Sequence, residues 1–511
     1  MHNFSYSVDK MSDLHYDLCI IGGGINGAGI ARDAAGRGLS VLLVEAQDLA
    51  GATSSASTKL IHGGIRYLEN YEFSMVRKAL KERETLYRSA QHLIWPIACI
   101  LPYDERRRSK TWLRLGLWAY DNLAGKKSLP NSRLVDFVSD QLAGTPLKET
   151  LKSGFMYADC WADDTRLVIS NAVDAASRDA KVLTYTACDR MEIQDGRWHI
   201  TLKDTRADDS IEVSASMVVN ATGPWVGRFL ESMGLSGQDP DLPNVRLVKG
   251  SHIILPRQYK GSQAYVLQQP DNRIVFVAPY EGKYTLVGTT EEEIKHDPRD
   301  AHISDDEMDY LCRAYNLSFE NEISKSDVIF TYSGVRPLLD DGKNNASKVT
   351  RDHLIYHHKR YEAPLLSVYG GKLTTYRIVA EDVVDQLMTI SGQNKPCWTA
   401  KEALVGGDIG DLDFDGYLAA QMSIYPWLPD ALLYRYARAY GTRMDYVLYG
   451  KENLDDMGTH FGDHVYEAEI EYLRTYEWAT SEEDVIWRRS KLGLHVTEDT
   501  LKNLEQFFNQ S

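Results

Sequence analysis

The chain has 511 residues, which is too long for one compact core, so two or three domains are expected. Its 73 acidic and 57 basic residues give a net charge of −16, and this balance argues against nonspecific binding of nucleic acid. The six cysteines form no C-x-x-C pair, so we expect reduced thiols in a cytoplasmic protein and no metal site. All apolar runs are shorter than 18 residues, which argues against a membrane-spanning helix but leaves attachment to a membrane surface open.

A glycine-rich turn follows the first predicted strand. Gly22, Gly24 and Gly27 form a G-x-G-x-x-G pattern ahead of a helix predicted over 26–37, and a second strand then ends at Glu45. In a dinucleotide-binding turn these glycines allow a tight bend, a close pyrophosphate and close helix packing, and the acid binds the ribose hydroxyls. The pattern alone could be a glycine-rich turn without a ligand. Because strand, helix and acid follow in order, dinucleotide binding is favoured.

The next stretch, residues 51–69, is rich in hydroxyl side chains and contains Gly63-Gly64. It is either a solvated loop before a helix or a loop that lies over a cofactor and donates hydrogen bonds to the pyrophosphate. We favour the second interpretation because His62 and Arg66 follow directly. A plain amphipathic helix is predicted over 71–90.

Residues 105–127 combine basic side chains with tryptophans and leucines, among them Trp112 and Trp118. This composition is typical of a helix lying in a lipid interface. An ordinary core helix with a solvated basic end explains it equally well.

The middle of the chain is predicted to be rich in strands. A hairpin is expected at Asp195-Gly196, and a buried strand over 217–222 re-enters the nucleotide-binding sheet before Gly223. From 246 to about 329 the apolar residues have a period of two, which predicts a mainly antiparallel second domain.

The chain then returns to the first domain. A strand over 365–369, the turn Gly370-Gly371-Lys372 and a helix over 373–388 repeat the strand–glycine–helix order of the N-terminal motif. Beyond about 400 we expect a helical domain for packing or self-association. The predicted boundaries are 1–90, 151–240 and 346–392 for the three parts of the nucleotide-binding domain, 91–150 for a helical segment with possible membrane contact, 241–345 for the antiparallel substrate domain, and 393–511 for the helical C-terminal domain.

Four cations could converge on one cleft of this acidic protein. Arg336 follows Gly334 at a strand end, Lys372 follows two glycines, and Arg66 and Arg351 lie near similar turns. Each alone is more often a surface charge. Together they suit a small dianion such as a phosphate monoester, to which arginine offers planar forked donors.

Several sequence blocks resemble the FAD-dependent glycerol-3-phosphate dehydrogenases, and most closely the bacterial aerobic, respiratory enzymes. The blocks appear in the family's order between about residues 15 and 380 and are IIGGGINGAGIARDAAGRGLSVLLVEAQDLA, ATSSASTKLIHGGIRYLE, VNATGPWV, KGSHIILP, TYSGVRPL and YGGKLTTYR. The resemblance implies an α/β fold, with a Rossmann-like FAD-binding domain, an inserted mainly antiparallel substrate domain and a C-terminal helical domain.

The resemblance also implies an activity. It is the oxidation of sn-glycerol 3-phosphate to dihydroxyacetone phosphate by hydride transfer to FAD, with electrons passed to quinone. Enzymes of this family attach peripherally to the cytoplasmic face of the inner membrane, which would give the segment 105–127 a role. A homodimer is a further expectation.

Each predicted site residue has an expected role. His62 is our first choice for the general base and His252 the second, and Lys372 with the helix start after it would stabilise negative charge on the reduced flavin. The expected substrate-binding residues are Arg66, Tyr67, Arg336, Arg351 and Lys372. The expected FAD-binding residues are Gly22, Gly24, Ile25, Asn26, Gly27, Glu45, Thr53, Ser54, Ser57, Lys59, Gly223, Gly371, Leu373 and Thr374.

Three alternatives to this function stay open. The first is a glycerol-3-phosphate oxidase that uses oxygen and releases hydrogen peroxide, although no long additional insertion is visible. The second is an amine or amino-acid oxidase, which the number of candidate cations argues against. The third is a nucleotide-sensing or scaffolding protein without activity.

Overall fold

The computed structural model describes residues 14–103, 109–125, 127–140, 143, 146–237, 241–340 and 352–510. Its strands are β1 Leu14–Ile21, β2 Val41–Val44, β3 Leu60–Ile61, β4 Ile94–Pro102, β5 Arg133–Asp136, β6 Ser153–Ala162, β7 Lys181–Leu183, β8 Thr186–Gln194, β9 Arg197–Asp204, β10 Ser210–Asn220, β11 Val245–Pro256, β12 Ala264–Gln268, β13 Ile274–Tyr280, β14 Tyr284–Gly288, β15 Glu292–Ile294, β16 Phe330–Leu339, β17 Leu354–His357, β18 Leu365–Tyr369, β19 His460–Gly462 and β20 Val465–Tyr466. Its α-helices are α1 Ile25–Gly36, α2 Phe73–Ser89, α3 Lys110–Leu123, α4 Asp164–Ala176, α5 Val226–Ser232, α6 Asp305–Asn316, α7 Tyr376–Ile390, α8 Phe414–Ile424, α9 Asp430–Tyr440, α10 Met444–Leu448, α11 Glu467–Glu477 and α12 Glu498–Gln510.

The first sheet has the order β17–β18–β10–β1–β2–β7, with β9 added beside β10 and β8 beside β9. Its five central strands, from β18 to β7, run parallel, and α1 packs between α4 and α7 over one face. The predicted re-entry of the strand over 217–222 is confirmed, since Ile21 of β1 lies beside Asn220 of β10 and Asn220 lies beside Ser367 of β18. The carboxyl ends of these three strands therefore meet at one edge of the sheet, where parallel α/β sheets bind ligands.

The second sheet has ten strands, and its central order is β15–β11–β14–β13–β12–β4–β6–β3. Its pairings are antiparallel except that of β12 with β4, which confirms the mainly antiparallel second domain.

This sheet also takes strands from regions that we assigned elsewhere. Residues 91–150, predicted to be helical, contribute β4 and β5, and β6 comes from the region assigned to FAD binding. The apolar run of β4 carries Pro96 and Pro102, and proline disfavours a helix interior, so the helical prediction was wrong for this run.

The predicted basic and aromatic segment forms α3, which Ser109 caps by accepting a hydrogen bond from the Trp112 backbone N–H. Leu117 and Tyr120 on this helix are buried, whereas Trp112, Leu115 and Trp118 are 55%, 52% and 64% exposed. The helix therefore combines a core-facing side with an exposed apolar side. The arginines at 106–108 and Lys126 lie outside the described residues. Within the described part of the chain, every helix is too short or too polar to cross a membrane.

The C-terminal region forms a helical domain with its own core, as the sequence predicts. Buried ion pairs fix it to the first domain. The Arg166 guanidinium donates to both carboxylate oxygens of Glu477, at 2.5 and 2.9 Å, and Arg489 pairs with Asp48. Arg489 lies on a π-helical turn, Asp484–Arg489, which packs against α4.

Candidate functional site

The glycine turn after β1 is held by close backbone contacts. Gly22 has φ +114°, and a Cβ added to it would lie 2.5 Å from the Ala221 carbonyl oxygen at the end of β10. A Cβ on Gly27 would lie 1.8 Å from the Gly22 carbonyl oxygen. A side chain at Gly27 would push α1 away from the turn, and one at Gly22 would push the turn away from the end of β10. Gly24 caps α1 without a side-chain hydrogen bond, so the positive end of the helix dipole stays available to a phosphate.

Two other predicted residues support this turn. The Glu45 carboxylate accepts hydrogen bonds from the backbone N–H groups of Gly23 at 2.6 Å and of Gln47 at 2.8 Å. Burial raises the pKa of Glu45, while these N–H donors act in the opposite direction. The Ser54 hydroxyl oxygen accepts from the Ile25 N–H at 3.0 Å, which ties the hydroxyl-rich loop to the first turn of α1.

A cavity of about 1060 Å³ lies at this edge of the first sheet, and residues of the second sheet line its other side. Its volume lies just above the usual range for ligand pockets, about 300–1,000 Å³. Most of the predicted site residues line it, namely Gly22, Gly24, Ile25, Asn26, Glu45, Thr53, Ser54, Ser57, Lys59, His62, Tyr67, Gly223, Arg336, Gly371, Lys372, Leu373 and Thr374.

The cavity fits a dinucleotide such as FAD. The glycine turn and the dipole end of α1 face it, and Glu45 lies at the end of β2 where an adenosine ribose would be bound. A Cβ added to Gly223 would meet no atom within 4 Å, so this side of the cavity is open. The donor set and the free space therefore match an elongated phosphate-containing cofactor.

The second glycine turn joins the first. Gly370 and Gly371 have φ values of +74° and +93°, and the Asn26 side-chain amide donates to the Gly370 carbonyl oxygen at 3.3 Å. The backbone N–H of His62 donates to the Thr374 hydroxyl oxygen at 3.2 Å. These contacts bring three distant parts of the chain to one end of the cavity.

β16 contributes Gly334 and Arg336 to the cavity wall at this end, and β11 pairs with it. Directly opposite residues on antiparallel strands share a face, and the register pairs Val248 with Arg336, Gly250 with Gly334, and His252 with Tyr332. A Cβ on Gly250 would lie 2.8 Å from Arg336 Nη2, so the guanidinium lies directly over this glycine.

The cations Lys372 and Arg336 both line the cavity, as does Tyr67. Lys372 Nζ lies 4.0 Å from the centroid of the Tyr67 ring and 3.3 Å from Met75 Sδ. An ammonium and a guanidinium in one partly closed cavity favour an anionic ligand. The side chain of Arg66 and the whole of Arg351 lie outside what the structure describes.

The two candidate bases differ in position. His62 lines the cavity, with its ring 6.4 Å from that of Phe276, whereas His252 is fully buried and is not part of the cavity wall. His252 Nε2 lies 3.0 Å from the Thr58 hydroxyl oxygen, and Thr58 lines the cavity. His252 therefore reaches the cavity wall only through its contact with Thr58, and its assignment as the second candidate base stays a prediction.

Ser57 and Lys59 line the cavity but direct their polar groups to Asp164. The Lys59 ammonium lies 2.8 Å from both Asp164 carboxylate oxygens, and the Ser57 hydroxyl donates to Asp164 at 2.7 Å. These groups hold the hydroxyl-rich loop on α4. This function of Asp164 was not predictable from the sequence, because a buried ion pair between residues 105 positions apart has no local signal.

The structure also adds residues that sequence reasoning missed. Thr58, Phe276 and Thr289 line the cavity beside His62 and Arg336. Gly250 lies in the block KGSHIILP, so a glycine inside a predicted strand was the available signal.

Asp297 joins the two domains across the cavity wall. Its carboxylate accepts hydrogen bonds from Trp225 Nε1 at 3.2 Å and from Arg228 Nη1 at 3.0 Å. Its further partner is the neighbouring Arg299, and all four residues line the cavity.

Comparisons with known proteins agree with this geometry. The family model described as FAD dependent oxidoreductase matches residues 17–377, and the model described as C-terminal domain of alpha-glycerophosphate oxidase matches residues 397–509. The chain is 44% identical to D-erythritol 1-phosphate dehydrogenase of Brucella abortus, over 97% of this chain and 98% of that protein. It is also 44% identical to aerobic glycerol-3-phosphate dehydrogenase of Escherichia coli, over 96% and 97%. The crystal structure of glycerol-3-phosphate dehydrogenase from Bacillus halodurans complexed with FAD is 27% identical, with a TM-score of 0.77 and coverage of 99% and 93%.

Proposed function

This chain belongs to the FAD-dependent glycerol-3-phosphate dehydrogenase family, and we propose that it oxidises sn-glycerol 3-phosphate to dihydroxyacetone phosphate. FAD is the cofactor of the family and supplies, when bound, the acceptor for the hydride that leaves the alcohol carbon. The observation that carries the proposal is the cavity shared by the glycine turn at 22–27, by Arg336 and by Lys372.

The phosphate is the group that the cations would bind. Arg336 offers forked donors to its oxygens, and Lys372 adds a point charge. Tyr67, Arg66 and Arg351 complete the proposed substrate set. Holding the phosphate in this way would fix the position of the secondary alcohol in the cavity.

His62 is the proposed general base. It lies on the cavity wall beside Phe276, and its backbone is fixed to Thr374. It would take the hydroxyl proton as the alcohol carbon loses its hydride. Lys372 and the N-terminal end of the turn Leu373–Thr375 would stabilise negative charge that develops on the bound cofactor.

The predicted cofactor contacts divide into two groups. Gly22, Gly24, Ile25, Asn26 and Gly27 would bind the pyrophosphate through the first turn of α1, and Glu45 the ribose. The remaining proposed contacts are Thr53, Ser54, Ser57, Lys59, Gly223, Gly371, Leu373 and Thr374.

We further propose that the electrons pass from the reduced flavin to membrane quinone. The exposed apolar side of α3, with Trp112, Leu115 and Trp118, would lie in the lipid interface of the inner membrane on its cytoplasmic side. A homodimer is compatible with this arrangement.

The test is anaerobic addition of sn-glycerol 3-phosphate to the purified, FAD-loaded protein while flavin absorbance is followed. We expect bleaching with the phosphate ester and none with glycerol, followed by return of the flavin colour on addition of a quinone analogue. If the flavin colour returns on exposure to air, with formation of hydrogen peroxide, but does not return with the quinone analogue, the result would support the oxidase alternative. Absence of bleaching would refute the proposal.

D-erythritol 1-phosphate is the second candidate substrate. D-erythritol 1-phosphate dehydrogenase of Brucella abortus is as identical to the chain as the Escherichia coli enzyme, and the two alignments cover 97% and 96% of it. Both compounds present a phosphate and a chain of hydroxyl groups, which the same cations would bind. The ratio of kcat/KM for the two substrates, measured on one preparation, decides between them.

A further inference from the structure

The pair formed by His252 and Thr58 has no role in the mechanism above. The His252 ring is fully buried and stacks on Tyr332, with ring centroids 4.7 Å apart and an interplanar angle of 21°. Its Nε2 atom lies 3.0 Å from the Thr58 hydroxyl oxygen. Its Nδ1 atom is buried and has no hydrogen-bond partner within the described residues.

The surroundings of His252 keep its ring neutral. Burial lowers the pKa of His252 well below its ordinary value, and the nearby charges of Arg336 and Lys59 lower it further. A Cβ on Gly288 of β14 would lie 2.1 Å from the ring, so the neighbouring strand closes over it. A neutral imidazole has one N–H donor and one bare nitrogen acceptor.

The hydrogen-bond pattern decides which nitrogen carries the proton. If it were on Nδ1, a buried N–H group would lack an acceptor. If it is on Nε2, the unpartnered atom is a bare nitrogen, and buried acceptors without a donor are tolerated better than buried N–H groups without an acceptor. His252 Nε2–H therefore donates to the Thr58 oxygen. The Thr58 hydroxyl hydrogen must then point away from His252.

We infer that His252 is a positioning residue that directs the Thr58 O–H into the cavity, where it donates a hydrogen bond to an acceptor atom of the bound molecule. Thr58 lines the cavity together with His62 and Arg336. The acceptor is an oxygen or a bare ring nitrogen, carried either by the flavin ring or by the phosphorylated substrate. This inference deepens the proposed function and rests on it.

The first experiment replaces Thr58 by valine, which has nearly the same shape but no hydroxyl group, with Thr58→Ser as the matched control that keeps the donor. For each variant, the dissociation constant of FAD is measured by titrating apoprotein and following flavin fluorescence. The absorption spectrum and midpoint potential of the bound flavin, and KM and kcat for sn-glycerol 3-phosphate, are measured on the holoenzyme.

If the flavin is the acceptor, Thr58→Val will weaken FAD binding about tenfold or move the potential to more negative values, and KM will stay unchanged. If the substrate is the acceptor, KM will rise by a similar factor while FAD affinity and potential stay unchanged. Either result supports the inference, provided that Thr58→Ser behaves as the wild type. A Thr58→Val protein equal to wild type in all these quantities would overturn it.

The second experiment tests the role of His252. His252→Gln can retain an N–H donor close to the Nε2 position, whereas His252→Leu removes it. In the wild-type background we expect His252→Leu to reproduce part of the Thr58→Val effect and His252→Gln to restore it. In the Thr58→Val background neither change should have a further effect. Additive effects in the double variants would show that His252 does not act through Thr58.

These readouts separate the inference from the proposed function. FAD affinity, spectrum and potential need no substrate, so they report on Thr58 even if sn-glycerol 3-phosphate fails to bleach the wild-type flavin. Failure of bleaching in the wild type refutes the proposed function, whereas equality of Thr58→Val with wild type refutes only the role of this threonine.

Discussion

Gly250→Ala adds one methyl group beneath the Arg336 guanidinium without removing any functional side chain. The new Cβ would lie 2.6 Å from Thr289 Oγ1, 2.8 Å from Arg336 Nη2 and 3.1 Å from Arg336 Nη1. Ordinary van der Waals contact begins at 3.4 Å, so the difference between 3.4 and 2.8 Å requires the guanidinium to withdraw by about 0.6 Å. The variant therefore displaces the proposed phosphate-binding group and leaves its charge in place.

The expected result is a loss of substrate positioning. A displacement of about 1 Å near a reacting centre can cost about a hundredfold in rate, so we expect kcat/KM for sn-glycerol 3-phosphate to fall about 10- to 100-fold. The change should appear mainly in KM, because Arg336 is proposed to bind the phosphate and not the reacting carbon. The glycine turn at 22–27 lies elsewhere on the cavity wall, so FAD content should stay at the wild-type value.

The assay is steady-state kinetics with an artificial electron acceptor, together with the flavin-to-protein absorbance ratio. Gly227→Ala is the matched control, because its Cβ would meet no atom within 4 Å and the residue lies inside α5. The control should keep wild-type kinetics and gain up to about 1 kcal/mol of stability from helix propensity. A folded, flavin-loaded Gly250→Ala enzyme with unchanged KM would refute the placement of Arg336 over this glycine.

Three further predictions concern the site, the domain contact and pH. Arg336→Ala should lower kcat/KM for sn-glycerol 3-phosphate about a hundredfold or more with FAD retained. Arg336→Lys should recover only part of the lost kcat/KM, because lysine lacks the forked donors. Loss of flavin from Arg336→Ala at unchanged KM would contradict the prediction. Glu477→Gln breaks a buried ion pair with Arg166 and should lower the free energy of unfolding in urea by about 3–5 kcal/mol, whereas Glu192→Gln, in an exposed pair, should cause no measurable change. Burial lowers the pKa of His92 from 6.5 to about 3, with the charges of Arg166 and Arg438 adding to the effect. Below pH 6.5 the unfolded chain therefore binds a proton at this residue that the folded protein does not, and the free energy of unfolding should fall by up to about 1.4 kcal/mol per pH unit between pH 6 and 4. His92→Gln should remove this contribution to the slope, and an unchanged slope would contradict the neutral buried state.

Local patterns predicted the nucleotide-binding part well. The strand before Gly22, the helix after Gly24 and the second strand before Glu45 lie within about thirty consecutive residues, and each is specified by its own apolar period and by glycine chemistry. Pairing of β10 with β1 was predictable for a related reason. The chain already contains a strand–helix–strand unit with parallel strands. A later buried apolar run that ends in glycine is therefore expected to pair with the strands of that unit.

Long-range pairing was not predictable in the same way. The apolar alternation of β4 and β6 identifies strands, but it does not say which sheet they join. A period of two shows which side chains share one face of a strand, and it carries no information about the strand that pairs with it. Lys59 and Asp164 are 105 residues apart, and only the tertiary structure buries them side by side. Each would be a costly unpaired charge if it were buried without the other.

The amino-acid sequence by itself determined the order of the elements, the glycine turn that can hold a dinucleotide, and the residue types that can bind a phosphate, because these depend on neighbours within one or two turns of chain. The tertiary structure alone decided which polar side chains reach the cavity. His62 and Arg336 line it, whereas His252 is fully buried and contacts Thr58 of its wall. The physical reason is that the directions of the Arg336 and His252 side chains depend on two long-range features. These are the register between β11 and β16 and the space that Gly250 and Gly288 leave for the two side chains, and no local pattern encodes either.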